Sequence, residues 1–387
     1  MPNHPCRQWI FKAGDMMGRM SPTPSPKSTV ARATRVGKAA LNQAAAVTQL
    51  RPTPDSADPV ETLLEQTRYL GDRLNDNGHS PVLEFDGTFV DVGPRRVFLR
   101  ETPNAGNPKQ RQAVYLHGLG GAARNWTDLM YLLEPSAGGI APDLPGFGRS
   151  PMPEDRDYGQ GSLAQTAIDL IEDRYLKPID LFGNSMGGAI AIRVAAKRPD
   201  LVRSLTLISP ALPDLKPRLS TAPLLAMTLP GIREVSAKLV GTDDPDRAVD
   251  RMHEMCYLDP SAVHLERRDI QVEETRWRLA RDNAADPLRL AARGLGKAFL
   301  PGHSGNIWTL AEKVTCPTLV VFGTHDKLVD PRHATRAAQA FKHGRVVTLR
   351  TGHVAQLEDP ARVAKMVLTM WAETYGYDAA DSEPSRP

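Results

Sequence analysis

The chain has 387 residues, of which 41% are hydrophobic and 24% charged, a composition typical of a soluble globular protein with a large core. It contains no run of about 18 apolar residues, so a membrane-spanning helix is not expected. The formal net charge is +3, but residues 1–54 alone carry +7 and leave −4 for the rest, so nucleic-acid binding by the main part of the chain has no support.

Residues 1–60 are basic and rich in Pro, Ser and Ala, which predicts a largely disordered leader. The leader has no apolar core of the kind found in signal peptides, so a cytoplasmic location is the expectation. Its segment ARATRVGKAALNQAAAVTQLR favours a weak basic helix with, at most, peripheral contact to an anionic membrane surface. The segment PVETLLEQTRYLGDRL that follows has apolar residues at helical spacing and predicts a helix packed on the domain.

The next segments predict an α/β domain. TFVDVGPRRVFLRETP reads as two strands around a Gly-Pro turn. Six short apolar runs without alternation then predict parallel strands buried on both faces, namely QAVYLHG, GGIAPDLPG, PIDLFGN, RSLTLISP, PTLVVFG and GRVVTLRTGH. Helical segments lie between them, so the predicted architecture is a doubly wound, mostly parallel sheet with its site at the carboxyl ends of the strands.

Residues 211–305 break this alternation, because their patterns are helical and no strand is convincing. They predict a helical lid inserted between a first half of the core, residues 61–210, and a second half, residues 306–375. Residues 376–387 are predicted to be a disordered tail. The apolar lid residues are either ordinary packing or the wall of an acyl tunnel; they are Leu224, Leu225, Met227, Leu229 and Met255.

The segment LFGNSMGG predicts a sharp turn between a buried strand and a helix. Ser185 lies at its centre in the pattern Gly183-x-Ser185-x-Gly187, with Asn184 before it and Met186 after it. Such a turn strains the backbone at the serine and needs small residues two positions before and after, where the chain passes itself. The serine hydroxyl is then exposed above the sheet, which is the position of a nucleophile.

A serine at neutral pH needs a base and an acid that orients the base. His353 and Asp326 follow the last two predicted strands, which gives the chain order Ser, Asp, His expected for this architecture. His325 and His333 are the competing bases, and Asp330 is the competing acid.

A glycine-rich loop in YLHGLGGAARNW predicts an oxyanion hole. Its glycines allow the backbone N–H of Leu119 to face the same point as the N–H of Met186. The loop residues are His117, Gly118, Leu119, Gly120 and Gly121. His117 is interpreted as a hydrogen-bonded loop anchor, and Asp143 in APDLPGFGRS as structural. The loop lacks the spacing of nucleotide-binding motifs, so no cofactor is expected.

The three cysteines are too few and too scattered for a disulfide framework or a zinc cluster, so free thiols and no metal are expected. They are Cys6, Cys256 and Cys316.

Five motifs in order resemble the α/β-hydrolase superfamily, in its serine-nucleophile subgroup with a helical cap, which includes esterases and lipases. They are HGLGG, APDLPGFGRS, GNSMGG, FGTHDKLV and TGHVAQLEDP, and the resemblance covers about Gly87 to Trp371. It implies the α/β-hydrolase fold, with Ser185 as nucleophile, His353 as base and Asp326 as its partner. Leu119 and Met186 would then be the oxyanion donors.

The predicted reaction is cleavage of a carboxylic ester, including a lipid ester or thioester, through an acyl-enzyme. Three alternatives remain open. GNSMGG is similar to the elbow of carbon–carbon bond hydrolases that act on ring-cleavage products, although the first oxyanion loop lacks their usual Pro-Gly pair. A cofactor-free haloperoxidase-like perhydrolase would use the same triad, and a hydrolase-fold binding protein would have no activity.

Overall fold

The structure is a computed structural model that describes residues 58–213, 244–281, 285–299 and 306–375. Apart from residues 58–60, the predicted leader lies outside the described residues, as does the predicted tail. So do four of the apolar lid residues, which are Leu224, Leu225, Met227 and Leu229.

One eight-stranded sheet forms the centre of the described chain. Its strands are β1 (Gly87–Val92), β2 (Arg95–Glu101), β3 (Arg111–Leu116), β4 (Ala137–Pro142), β5 (Ile179–Asn184), β6 (Val202–Ile208), β7 (Thr318–Gly323) and β8 (Gly344–Leu349). They lie in the order β1-β2-β4-β3-β5-β6-β7-β8. The hairpin β1–β2 and the pair β2–β4 are antiparallel, and all other pairs are parallel. The predicted fold class, a mostly parallel sheet, is confirmed.

Burial of the strands follows their position in the sheet. Every residue of β4, β5 and β7 is buried, as continuous apolar runs covered on both faces require. The prediction of two-sided burial is wrong for β8, where only Leu349 is buried. Because β8 pairs with β7 alone, it forms an edge of the sheet, where one side of the strand has no neighbouring strand to cover it.

Helices cover both faces of the sheet. The helices before the insertion are α1 (Pro59–Gln66), α2 (Thr127–Leu133), α3 (Gln160–Arg174) and α4 (Met186–Lys197). The later ones are α5 (Pro245–Cys256), α6 (Leu265–Leu279), α7 (Asp286–Ala298), α8 (Ile307–Ala311), α9 (His333–Ala340), α10 (Ala355–Glu358) and α11 (Pro360–Glu373). The buried apolar residues form two main clusters. Helices α3, α4 and α8 contribute to the first cluster, and helices α1, α2 and α11 contribute to the second.

The segment before the sheet is α-helical only in its first half, since α1 runs from Pro59 to Gln66, and Tyr69 and Leu70 lie in the turn that follows. Leu63 and Leu70 are buried against α11 and its neighbours, whereas Leu64 and Tyr69 are exposed. Asp58 caps the helix, since its carboxylate accepts the N–H of Val60. The helix therefore packs on the domain through one side only.

The part of the predicted lid that the structure describes is helical, and α6 is held on the core by a buried ion pair. The Arg267 guanidinium donates to both carboxylate oxygens of Asp128 in α2, at 2.8 and 2.6 Å. Asp128 also accepts the Ser80 N–H and contacts His79 Nδ1 at 3.2 Å. Burial by itself would raise the pKa of Asp128, but His79 and Arg267 hold it below its usual value. No described helix is both long and apolar enough to cross a membrane.

A buried carboxylate near the amino ends of β3 and β5 is expected to stabilise the fold. The Asp180 carboxylate in β5 accepts two hydrogen bonds from Arg111, at 2.8 and 2.7 Å, and one from Ser204 Oγ. Asp180→Ala leaves the largely covered Arg111 guanidinium without its carboxylate partner and the Ser204 hydroxyl without its acceptor, so we expect the free energy of unfolding to fall by about 3 kcal/mol, measured by urea denaturation.

The matched control is Glu373→Ala, which removes an exposed ion pair with Arg345. An exposed pair contributes little, so the control should lose less than about 1 kcal/mol. Equal losses in the two variants would contradict a special role for the buried pair.

Candidate active site

Ser185 lies at a strained turn between β5 and α4. Its φ of 54° and ψ of −117° are unfavourable for a residue with a side chain, and strain of this kind costs about 1–3 kcal/mol. A Cβ added to Gly183 would lie 2.5 Å from the Gly187 carbonyl oxygen. One added to Gly187 would overlap the carbonyl groups of Leu116 and His117 at the end of β3. Only glycine fits at both positions.

Backbone hydrogen bonds hold this turn in place. The Ser185 N–H donates to the Ile208 carbonyl at the end of β6, at 3.1 Å. The Ser185 carbonyl accepts N–H groups from Ala189 in α4, at 3.1 Å, and from Ala211, at 2.9 Å. The strained residue is therefore anchored on both sides by the strand ends and the helix.

His353 and Asp326 form a direct hydrogen bond. The loops after β7 and β8 bring His353 Nδ1 to 2.8 Å from Asp326 Oδ2, and both side chains are buried. Asp326 Oδ1 accepts the N–H groups of Leu328 and Val329, at 2.8 and 2.9 Å. Burial alone would raise the pKa of Asp326, but His353 and these two N–H groups lower it below its ordinary value. An ionised Asp326 accepts the Nδ1 proton, which leaves Nε2 of the neutral ring as the basic nitrogen.

The competing residues have other contacts. His325 is exposed, and its Nδ1 lies 2.9 Å from Thr324 Oγ1. The ring of His333 lies near that of Trp308, with centroids 5.6 Å apart and a tilt of 50° between the planes. Asp330 accepts hydrogen bonds from the backbone and the guanidinium of Arg332. Of the two candidate acids, Asp326 is the one that contacts His353.

Asn184 connects the serine turn to the histidine loop. Its side-chain N–H₂ group donates to the His353 carbonyl at 3.2 Å and to the Ile208 carbonyl at 3.0 Å. In the described chain, Ser185 Oγ and His353 Nε2 do not form a hydrogen bond. Catalytic hydrogen bonds are often long before substrate binds and tighten in the complex. The structure thus places the His353 backbone beside the residue that precedes Ser185.

The glycine-rich loop lies directly against the serine turn. A Cβ added to Gly118 would lie 3.2 Å from Ser185 Cβ and 3.0 Å from Asn184 Oδ1. The loop turns back through a hydrogen bond from the Gly121 N–H to the Gly118 carbonyl, and Gly120 adopts a φ of 75°. Among the described residues, the N–H groups of Leu119 and Met186 donate no hydrogen bond within the protein, so both remain able to donate to a ligand oxygen.

His117 and Asp143 hold the base of this loop. His117 is fully buried; its Nε2 accepts the Leu144 N–H at 2.8 Å, so its Nδ1 is the nitrogen that donates to the Gly118 carbonyl, at 2.7 Å. Burial lowers the pKa of His117, which favours this neutral form. Asp143 accepts the N–H groups of Ala123 and Arg149. Both side chains therefore bind backbone groups of the loops and hold them in place.

A family model described as alpha/beta hydrolase fold matches residues 114–360. The chain belongs to this family. The match begins inside β3 and ends at the first residue of α11. It therefore includes the turn at Ser185 and the loops after β7 and β8 that carry Asp326 and His353.

Individual relatives of this alpha/beta hydrolase are distant. A pimeloyl-[acyl-carrier protein] methyl ester esterase of Neisseria meningitidis is 28% identical over 256 residues, which cover 65% of this chain and 89% of that protein. A 2-hydroxymuconate semialdehyde hydrolase of a Pseudomonas species is 37% identical over 101 residues, or 25% of this chain and 36% of that one. The crystal structure of a bacterial membrane phospholipase A has a TM-score of 0.63 at 20% identity, covering 89% of this chain and 99% of that one, which shows the shared fold.

Sequence reasoning missed one acidic residue of this alpha/beta hydrolase, Glu358 at the end of α10. Its carboxylate accepts the N–H of Gly352, next to His353, and the N–H of Leu258, which follows α5 in the insertion. No local pattern signals this contact, because Leu258 is 100 residues away in the chain. Its sequence signal is its place in the motif TGHVAQLEDP, five residues after His353.

Proposed function

We propose that this alpha/beta hydrolase is a serine hydrolase that cleaves a carboxylic ester through an acyl-enzyme. The observation that carries the proposal is the 2.8 Å hydrogen bond between His353 and Asp326, buried beside the strained turn of Ser185. A nucleophile, an oriented base and two backbone donors at one end of a parallel sheet are the groups that acyl transfer requires.

The first half-reaction forms the acyl-enzyme. Ser185 Oγ attacks the ester carbonyl carbon, and its proton passes to His353 Nε2. The oxyanion accepts hydrogen bonds from the N–H groups of Leu119 and Met186, while Asp326 stabilises the imidazolium. When the tetrahedral intermediate collapses, the bond to the alcohol oxygen breaks, and that oxygen takes the proton from His353.

The second half-reaction releases the acid. His353 Nε2 removes a proton from water, and the resulting hydroxide attacks the acyl carbon. The oxyanion again lies on the two backbone donors. Collapse breaks the bond to Ser185 Oγ, which recovers its proton from His353, and the free enzyme is restored.

The substrate class follows from the groups near the oxyanion loop and from the relatives. Leu288 in α7 lies against the glycine-rich loop, since a Cβ added to Gly120 would be 3.4 Å from Leu288 Cδ1. Leu288 and Leu119 are both apolar and partly buried. We propose that the inserted helices act as a lid over an ester with an apolar part, a class that includes lipid esters and thioesters. The similarity to a methyl ester esterase supports this class.

Carbon–carbon bond cleavage is the second candidate. It is favoured by the GNSMGG turn and by the 37% identity over 101 residues to a 2-hydroxymuconate semialdehyde hydrolase. Such a reaction would use the same three side chains on a vinylogous diketone acid, so substrate assays must separate the two.

The deciding experiment is labelling with a fluorophosphonate, followed by assays on p-nitrophenyl esters of rising chain length and on a vinylogous diketone acid. We expect labelling of wild type, no labelling of Ser185→Ala, and ester turnover that prefers medium or long acyl chains. Labelling without ester turnover would favour carbon–carbon hydrolysis or a perhydrolase. An unlabelled wild-type protein would overturn the proposal and favour a non-catalytic binding protein.

A further inference from the structure

The insertion touches the histidine loop directly at the end of α5. The Cys256 carbonyl accepts the N–H of His353 at 2.6 Å. A Cβ added to Gly352 would lie 2.7 Å from the Leu258 nitrogen and 2.8 Å from the Tyr257 carbonyl carbon. Residues 256–258 therefore lie against the loop backbone, and only glycine at position 352 permits this approach.

The Glu358 carboxylate binds both sides of this contact, one with each of its oxygens. Oε1 accepts the Gly352 N–H at 2.8 Å, and Oε2 accepts the Leu258 N–H at 2.9 Å. One carboxylate thus binds the residue before His353 and the insertion at the same time. Hydrogen bonds to an ionised acceptor are stronger than neutral ones, so the two N–H groups are held firmly.

Three contacts together determine where the His353 backbone lies. The insertion holds its N–H through Cys256, Asn184 holds its carbonyl, and Glu358 holds the preceding N–H. The imidazole has its own partner in Asp326, but a side-chain hydrogen bond orients the ring and does not fix the position of its Cα. A displacement of about 1 Å in a catalytic group can cost about a hundredfold in rate.

We infer that Glu358 is a positioning residue for His353, and that it couples the placement of the base to the docking of the inserted helices. The inference rests on the proposed function, because it assigns His353 as the base. Burial raises the pKa of Glu358, with a smaller contribution from the nearby carboxylate of Asp326, and hydrogen bonds from the N–H groups of Leu258, Gly352 and Val354 oppose this shift.

The test is a graded series at position 358. Glu358→Gln keeps one acceptor oxygen and turns an amide N–H₂ toward the other N–H, so one hydrogen bond is lost. Glu358→Ala loses both. We expect kcat for a p-nitrophenyl ester to fall about tenfold in the first and about a hundredfold in the second, with KM within about twofold of wild type. Glu373→Gln is the matched control and should leave both constants unchanged, since Glu373 is an exposed residue of α11 paired with Arg345.

The rate and the end point of fluorophosphonate labelling distinguish positioning from mere structural support. If Glu358 positions His353, both variants are labelled to completion but more slowly, in proportion to kcat/KM. A lower end point at an unchanged rate would mean that a fraction of the molecules is misfolded, and it would overturn the inference. Wild-type kcat in both variants would overturn it as well. Absence of labelling in wild type would instead contradict the proposed function.

Discussion

Ser185→Ala is expected to lower the turnover of a p-nitrophenyl ester by about 10⁴- to 10⁶-fold. The substitution removes the hydroxyl that forms the acyl-enzyme in the proposed function, while the backbone of the turn and of the glycine-rich loop stays in place. The residual rate should remain above that of the uncatalysed reaction, because the oxyanion donors still act. Steady-state assays at saturating substrate measure this loss.

Ser261→Ala is the control for this loss. Its hydroxyl is exposed on the insertion and contacts Asp259, so activity should stay within about twofold of wild type. Far-UV circular dichroism of Ser185→Ala should match wild type, since removal of the hydroxyl leaves the backbone hydrogen bonds that hold the turn between β5 and α4 in place. Ester turnover that survives the substitution would show that another group is the nucleophile.

Asp326→Asn is expected to lower kcat by about 10⁴-fold. An asparagine amide of similar shape can donate to His353 Nδ1, which places the ring proton on Nε2, so the nitrogen proposed as the base can no longer accept a proton. The geometry is preserved, but the tautomer is wrong. The loss should appear in kcat with little change in KM.

Asp330→Asn tests which of the two candidate acids, Asp326 or Asp330, is the partner of His353. Asp330 is also buried and lies four residues away, but its carboxylate contacts Arg332 and not His353. We expect its effect on kcat to be below about tenfold, with any loss appearing in thermal stability. The assignment of Asp326 would be abandoned if Asp330→Asn had the larger effect on kcat.

The turn at Ser185 could be predicted from sequence because its requirements are local. Gly183 and Gly187 are needed within a few residues of Ser185, and the strand before and the helix after are visible in the apolar pattern. The same holds for the β1–β2 hairpin, whose pairing is set by the turn at Gly93. The roles of Ser185, His353 and the oxyanion donors stay predictions until the variants above are measured.

Contacts between distant segments could not be predicted from single segments. The apolar run of β8 resembles that of β7, yet β8 is half exposed because no strand pairs with its outer side. Similarly, two aspartates follow β7, and their spacing does not reveal which one meets His353. The loop after β8 decides this by bringing the imidazole to Asp326.

The sequence by itself determined the order of strands and helices along the chain and the glycine-bounded turn at Ser185, because each depends on backbone preferences within a few residues. The tertiary structure alone decided how these elements are held together. Glu358 joins Gly352 to Leu258, and Asn184 joins the serine turn to His353; the hydrogen bonds to Leu258 and to His353 span 100 and 169 residues of the chain. Such contacts arise from the packing of the insertion and the sheet, so no local pattern of residues encodes them.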